Sequence, residues 1–117
     1  MSFELLPLLT RGVLDPLSPI TRGDSRTFRY AAATALTGAT LQFRLASQVF
    51  EISKSSGSGI TLDPLDPKVA LIDLGGPDWT SYPDSAQLRE VHHIELKITL
   101  SGRVETVVRD LPIVVFR

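Results

Sequence analysis

Two adjacent histidines, His92 and His93, are the residues of this chain with the widest chemical repertoire. The side chains around them alternate between apolar and polar, which is typical of a β-strand. Successive side chains of a strand point to opposite faces, so the two imidazoles would not share one metal ion as histidines on one helical face do. A metal site would need carboxylates from other strands. The alternative is one solvated histidine and one at a sheet edge or interface, where its charge near neutral pH matters.

A second candidate for metal binding is a set of aspartates in predicted turns. Their spacing does not match a calcium loop, which has acidic residues at alternate positions and a turn glycine. Aspartate also accepts hydrogen bonds from nearby backbone groups, and in a turn it is often followed by proline. Turn capping is therefore the favoured interpretation, and the sequence predicts no metal and no other cofactor. The residues concerned are Asp63, Asp66, Asp73 and Asp78.

No side chain occupies a recognisable nucleophilic setting. The chain has no cysteine, which excludes thiol chemistry, cysteine metal sites and disulfides. None of the serines lies on the strand–turn–helix elbow of a serine nucleophile. Gly57 and Gly59 are followed by neither a helix nor a lysine, so they do not predict a phosphate-binding loop. We therefore expect a protein that is not an enzyme.

Two segments are candidates for binding a partner through exposed side chains. Residues 22–25 read Arg-Gly-Asp-Ser, an integrin-recognition motif, but chance explains it better, because these residue types are common and Gly-Asp is ordinary turn chemistry. A long loop carries Trp79 and Tyr82, and exposed loop aromatics anchor proteins or sugars, including a host-surface glycan. Closure of the core at one end of the domain is the alternative role for these aromatics.

Length and composition are those of one globular domain. The chain has 117 residues, of which 43% are hydrophobic and 21% are charged, and this length suffices to bury a core without disulfides. The net charge is -1, and no Lys/Arg cluster is present, which makes nucleic acid a poor candidate partner. The apolar tract at residues 3–9 is broken by Glu4 and Pro7 and follows no basic region. It therefore predicts neither a signal peptide nor a membrane span.

The clearest structural prediction is a β-hairpin near the C-terminus. Residues 93–100 alternate in polarity, and β-branched residues dominate residues 103–108. Ser101 and Gly102 lie between them and suit the positive backbone angles of a two-residue hairpin turn. A hairpin of this kind covers one side of a core.

The remaining elements are predicted from alternation and from turn residues. Leu111 and Pro112 should interrupt the second hairpin strand, so that residues 113–116 complete a sheet edge. The strand at residues 40–47 should be central, because its alternation is the most regular. Other strands are expected at residues 27–30, 49–53 and 69–74, and one helical turn at residues 85–89.

About seven short strands separated by Gly, Pro, Asp and Ser turns predict an all-β fold, namely an immunoglobulin-like antiparallel β-sandwich over residues 21–117. Residues 1–20 are interrupted by prolines and predict an extended N-terminal arm, with a short strand at residues 3–6. The apolar side chains of this arm either pack on the domain's own sheet or dock onto a neighbouring subunit. These side chains include Leu5, Leu6, Leu8, Leu9, Leu14 and Leu17.

Five segments carry a family resemblance: residues 23–28 (GDSRTF), 36–45 (LTGATLQFRL), 59–62 (GITL), 94–96 (IEL) and 114–116 (VVF). In this order they resemble the immunoglobulin-like tail and baseplate domains of tailed bacteriophages, similar to the N-terminal domain of upper baseplate proteins. The most telling piece is LTGATL followed by an alternating strand.

The resemblance implies a structural part of a virion tail or baseplate, which is assembled in the host cytoplasm and has no catalytic role. Such a protein binds other virion proteins and forms a homo-oligomer, most simply a trimer or hexamer. The arm leucines and the terminal strand, with Ile113 and Val115, would carry the contacts. The alternative is a capsid decoration protein or a carbohydrate-binding module that uses the loop of Trp79 and Tyr82.

Overall fold

Strands make up most of the residues that the computed structural model describes, which are residues 11–83 and 89–117. In these residues the all-β prediction is confirmed. The strands are β1 (Gly12–Asp15), β2 (Ile20–Thr21), β3 (Arg26–Ala32), β4 (Thr40–Ala46), β5 (Glu51–Ser56), β6 (Gly59–Asp63), β7 (Asp66–Leu74), β8 (Arg89–Leu100) and β9 (Arg103–Phe116), with one 3-10 turn at Gly76–Trp79.

All nine strands belong to one sheet in the order β1-β3-β7-β6-β5-β4-β8-β9-β2. Neighbours are antiparallel except for β5 with β6 and β2 with β9, which are parallel. The sheet curls into a half-barrel. Phe28 on β3 and Phe43 on β4 show the curl directly, because their ring centroids lie 5.5 Å apart although three strands separate β3 from β4 in the sheet order. The two halves of the sheet therefore face each other across a common core.

The core is built from the inward positions of the alternating strands. On β4, Leu41, Phe43 and Leu45 are buried, whereas Gln42 and Arg44 point outward and are exposed. This strand pairs with β5 on one side and with β8 on the other, so the predicted central position of residues 40–47 is confirmed. The predicted strands at residues 27–30 and 69–74 lie within β3 and β7, and β5 begins at residue 51.

The predicted C-terminal hairpin is also confirmed. Ser101 and Gly102 form its turn with φ angles of 53° and 75°, and a two-residue turn with positive φ at both positions matches the right-handed twist of the flanking strands. β8 and β9 pair along their whole length, with register shifts beside Leu96. The tight turn thereby fixes which residues of β9 share a face with the apolar residues of β8.

The predicted interruption at Leu111 and Pro112 is wrong. β9 runs through both residues, and Pro112 pairs with His93 on β8. Proline is compatible with a strand beside a bulge or where no further strand needs its N–H, and β2 pairs only with Val115 and Phe116. The predicted edge at residues 113–116 is therefore covered at its last two paired positions by β2.

The described residues form nine strands and not about seven, because residues 11–21 contribute two strands in addition to the seven of residues 26–116. β1 pairs with β3 and β2 pairs with β9, at opposite ends of the sheet order. Leu14 and Ile20 are buried in the core, and the prolines of this segment lie between the two strands. The boundary drawn at residue 20 thus falls inside β2.

Two predicted elements lie outside the described residues, namely the strand at residues 3–6 and most of the helical turn at residues 85–89. Arg89 itself begins β8. Within residues 11–83 and 89–117, no helix has the length and apolar character needed to cross a membrane.

Candidate functional site

The predicted aromatic loop residues form a closed cluster at one end of the core. Trp79 and Tyr82 are 5% and 8% exposed, and both pack on Phe50, from the β4–β5 connection, with ring centroids 5.8 Å and 4.6 Å away. His92 on β8 completes the cluster, 5.7 Å from the Tyr82 ring. Because so little of either ring is open to solvent, the packing matches closure of the core rather than an exposed sugar-binding platform.

His92 is buried at the base of this cluster and lies on the opposite side of β8 from His93, which is exposed. Its Nε2 lies 2.9 Å from the Tyr82 hydroxyl, while its Nδ1 is buried with no hydrogen-bond partner. Burial lowers the pKa of His92, against the opposing effect of the nearby Glu90 carboxylate. The histidine is therefore a neutral core residue at neutral pH. Among the described residues no group of three or more metal-ligating side chains forms.

The Arg-Gly-Asp-Ser segment is tied to the same cluster. The Arg22 guanidinium lies over the Tyr82 ring, 4.7 Å from its centroid, and donates to the Pro83 carbonyl at 3.4 Å. The Trp79 Nε1–H donates to the carbonyl of Asp24 at 3.2 Å. A hollow of about 300 Å³ lies beside these groups. The arginine that an integrin would need is thus engaged in packing on Tyr82, which agrees with the interpretation of this segment as a structural turn.

An ion pair between Lys54 and Asp78 fastens the 3-10 turn to β5. The Lys54 ammonium lies 2.7 Å from the Asp78 carboxylate, and both side chains are largely buried. The second Asp78 oxygen accepts the Gly75 N–H at 2.7 Å. Burial opposes ionisation of Asp78, but the ammonium and the backbone N–H outweigh it and lower the pKa of Asp78. The pair therefore holds Trp79, the next residue, over the core.

Of the other three aspartates, two cap turns, as the turn-capping interpretation predicts, whereas for Asp73 that interpretation is wrong, because this residue lies within β7. Asp63 accepts the Leu65 N–H at 2.9 Å, and Asp66 accepts the Lys68 N–H at 3.0 Å. Asp73 on β7 accepts the Thr27 hydroxyl of β3 at 2.6 Å. Asp63 and Asp66 flank one turn and Asp73 lies further along β7, and among the described residues they form no group of three metal-ligating side chains.

One buried carboxylate escaped the sequence analysis. Glu105 on β9 is 5% exposed and pairs with Arg103 at 3.2 Å. Burial, together with the Glu105 carboxylate, raises the pKa of Tyr30 on β3 to about 12. A signal was present in the sequence, because the two-residue turn sets Glu105 opposite Ile98, and directly opposed residues of a hairpin share a face. Glu105 therefore lies on the apolar face of the hairpin.

The outer face of β5, β4 and β8 is polar and open. Arg44 pairs with Glu51 at 2.7 Å, and Lys97 lies 3.6 Å from Glu95. Two hollows, of about 520 Å³ and 290 Å³, lie on this face, and both include Arg44 and Glu95 among their lining residues. Unlike the aromatic cluster, this surface presents its charged groups to solvent.

The residues predicted to contact partners divide between core and surface. Leu17 is 39% exposed, whereas Leu14, Ile113 and Val115 are buried in the core together with Trp79 and Tyr82. Strand alternation explains the division, because neighbours such as Val13, which is 64% exposed, point the other way. Leu5, Leu6, Leu8 and Leu9 lie outside the described residues.

No family model matches this chain, and no curated protein shows significant similarity to it.

Proposed function

We propose that this chain is a non-enzymatic structural protein of a bacteriophage virion that links tail, baseplate or fibre subunits and forms a homo-oligomer. One observation carries the proposal: the N-terminal leucine-rich residues 2–10 lead directly into β1, an edge strand that pairs only with β3 among the described strands. An edge strand offers unpaired backbone groups to an added strand, and an apolar segment that precedes it in the sequence adds side chains for contact. Both features suit an adaptor.

The strand order supports an immunoglobulin-like sandwich as the underlying fold. The sheet divides into two groups, β1-β3-β7-β6 and β5-β4-β8-β9-β2. Among the described strands, the groups are joined in the ladder only through β5 and β6, which share two paired positions. Immunoglobulin-like domains have two such sheets, one with the first, second, fifth and fourth strands in that order. If β1 and β2 count as one strand that contributes to both sheets, and β5 counts as the additional strand that variable-type domains carry beside the third strand, the order here is the same.

The roles of the chemically capable side chains support a non-enzymatic function. His92 is buried against Tyr82, and Asp63 and Asp66 accept backbone N–H groups in their turns. Asp78 is paired with Lys54. Each of these groups has a structural use, and none is placed beside a second reactive group in an open cleft.

The alternative of a carbohydrate-binding module has less support, because sugar stacking needs an open aromatic face and Trp79 is 5% exposed. A capsid decoration role would use the same edges and leucine-rich segment as a tail adaptor. The two structural roles differ in location, so location in the particle is the property that separates them.

Deletion of residues 2–10, with Met1 retained, tests the adaptor proposal. Sedimentation velocity should show a trimer or hexamer for the full chain and a monomer for the deletion variant, with the far-ultraviolet circular dichroism of the sheet unchanged. The deletion stops before β1, because Leu14 is buried in the core. Leu65→Ser, at a side chain that is 93% exposed, is the matched control. An equal sedimentation coefficient for the full chain and the deletion variant would refute the role of this segment.

Immunogold labelling tests the location. An antibody against the purified protein should label the tail or baseplate of particles that are produced with this chain. Labelling of the capsid shell would favour the decoration role, and unlabelled particles, if the chain is nevertheless expressed, would overturn a virion role altogether.

A further inference from the structure

The outer face of β5, β4 and β8 carries opposite charges side by side on neighbouring strands. Arg44 on β4 is directly opposite Glu95 on β8, and Gln42 on β4 is directly opposite Lys97 on β8. Glu51 on β5 lies beside Arg44 and pairs with it. The Arg44 and Glu95 side chains are 52% and 34% exposed, so both can reach a second molecule.

We propose that this face binds the same face of a second copy of the chain, around a two-fold axis that runs along the seam between β4 and β8. Rotation by 180° about such an axis places β4 of one copy over β8 of the other. Each residue keeps its position along the strand direction. Arg44 then faces the partner's Glu95, and Gln42 faces the partner's Lys97, each contact occurring twice. An interface of this kind is isologous, because one patch meets itself.

The charge pattern favours this axis over one that runs across the strands. An axis across the strands at the height of Arg44 would set Arg44 against the partner's Arg44 and Glu95 against the partner's Glu95. Like charges brought together at an interface are strongly unfavourable. Of these two axes, the one along the seam turns the cross-strand pair of one chain into two attractive pairs between chains.

Two exposed apolar side chains lie beside a hollow next to the seam. Val49 and Val91 are 55% and 43% exposed, and both line the hollow of about 520 Å³ together with Arg44 and Glu95. Exposed valines next to a hollow give the charged centre an apolar flank. The polar side chains nearby, including Ser47 and Gln48, can form hydrogen bonds around it.

The area of the face sets the expected affinity between the two copies. Three strands spaced about 4.8 Å apart and seven residues at about 3.3 Å each cover roughly 330 Å². This is smaller than the ~800 Å² per partner of a standard interface, so we expect a dissociation constant of roughly tens to hundreds of micromolar. A weak pair that forms at high local concentration suits a protein that is gathered into a larger assembly.

This inference goes beyond the proposed adaptor function, because neither the leucine-rich segment nor a sheet edge takes part. The two are separable by experiment: deletion of residues 2–10 tests the adaptor role, and charge reversal on the outer face tests the two-fold pair. Either result can fail while the other holds.

Complementary charge reversal in the full chain is the decisive experiment. Arg44→Glu places two acidic pairs across the axis, and Glu95→Arg places two basic pairs, so each variant alone should bind itself at least tenfold more weakly than the wild type in sedimentation equilibrium. An equimolar mixture restores two opposite-charge pairs and should regain wild-type affinity. Failure of the mixture to associate more strongly than either variant alone would overturn the proposal.

A matched pair of control variants tests whether general attraction between oppositely charged proteins explains the gain in the mixture. Arg29→Glu and Asp73→Arg change charge by the same amounts at exposed positions on β3 and β7, in the other half of the sheet. Each should associate as the wild type does, and their mixture should gain nothing. A gain equal to that of the first mixture would show unspecific attraction and would refute the assigned face.

Disulfide trapping gives a second measurement that does not depend on oligomerisation elsewhere. The chain has no cysteine, so Gln42→Cys and Lys97→Cys introduce single thiols. The mixture of these variants should form a heterodimeric disulfide faster than either variant forms a homodimer, and faster than a mixture with Thr61→Cys, an exposed position on β6. Equal rates for all mixtures would contradict the seam.

Discussion

The two faces of β8 have opposite characters although their residues alternate along one strand. The inner face places His92 against Tyr82 in the closed aromatic cluster, with no ring nitrogen reaching solvent. The outer face carries His93 and Glu95, which line an open hollow. Packing and burial fix the inner side chains, whereas the outer side chains of His93 and Glu95 are polar and open to solvent. Potential chemistry in a strand therefore has to be judged face by face and not residue by residue.

Removal of the largest inner side chain should have the greatest effect on stability. Trp79→Ala leaves a cavity against Phe50 and Tyr82 and should lower the free energy of unfolding by about 3–5 kcal/mol. Leu65→Ala, at an exposed position, should change it by less than about 0.5 kcal/mol. Chemical denaturation of both variants measures the difference. A loss below about 1 kcal/mol for Trp79→Ala would mean that the cluster is not part of the core.

Removal of the ion pair that holds the aromatic cluster in place should cause the second-largest loss of stability. Asp78→Ala leaves Lys54 largely buried without its carboxylate and removes the acceptor of the Gly75 N–H. We expect a loss of about 1–3 kcal/mol in chemical denaturation. Asp73→Ala removes a carboxylate at an exposed position of β7 and should cost less. Equal losses in the two variants would contradict a special role for Lys54 and Asp78.

The inner face of β8 should make the free energy of unfolding depend on pH, because it carries the buried His92. The pKa of His92 is lowered in the folded chain from its ordinary value of 6.5, so below that pH the unfolded chain takes up a proton that the folded chain does not. The free energy of unfolding should therefore fall as pH decreases below about 6.5, by at most about 1.4 kcal/mol per pH unit from this group, and should not depend on it at higher pH.

Two single variants show which face of β8 makes the free energy of unfolding depend on pH. Denaturation between about pH 7.5 and pH 5.5 should show a reduced slope for His92→Phe and a smaller reduction for His93→Gln, because burial lowers the pKa of His92 more than the neighbouring His93 does. Loss of the slope in His93→Gln alone would assign the pH response to the outer face instead.

The smallest effect on the stability of a single chain is expected on the outer face. Glu51→Gln removes the partner of Arg44, but both side chains are about half exposed, and exposed ion pairs contribute about 0–1 kcal/mol. Thermal and chemical denaturation should therefore show a loss of less than about 1 kcal/mol. A larger loss would mean that the outer face is a structural element in its own right.

Local features of the fold were predictable because they depend on neighbours in the chain. The alternation of β4, the hairpin of β8 and β9 and its turn at Ser101 and Gly102 follow from the two-residue period of a strand and from turn geometry. The opposite facing of His92 and His93 and the turn-capping role of Asp63 and Asp66 follow in the same way. The all-β class follows from the repetition of such segments.

The tertiary structure alone decided which distant segments meet. Residues 11–21 resemble an arm in sequence, yet Leu14 and Ile20 are buried because two edges of a curled sheet lie within their reach. The burial of Trp79 and Tyr82 depends on Phe50, 29 and 32 residues earlier in the chain. Burial is a property of the whole packing, whereas periodicity is a property of the chain. For this reason the sequence determined the strands and their two faces, and only the fold determined which of those faces are closed.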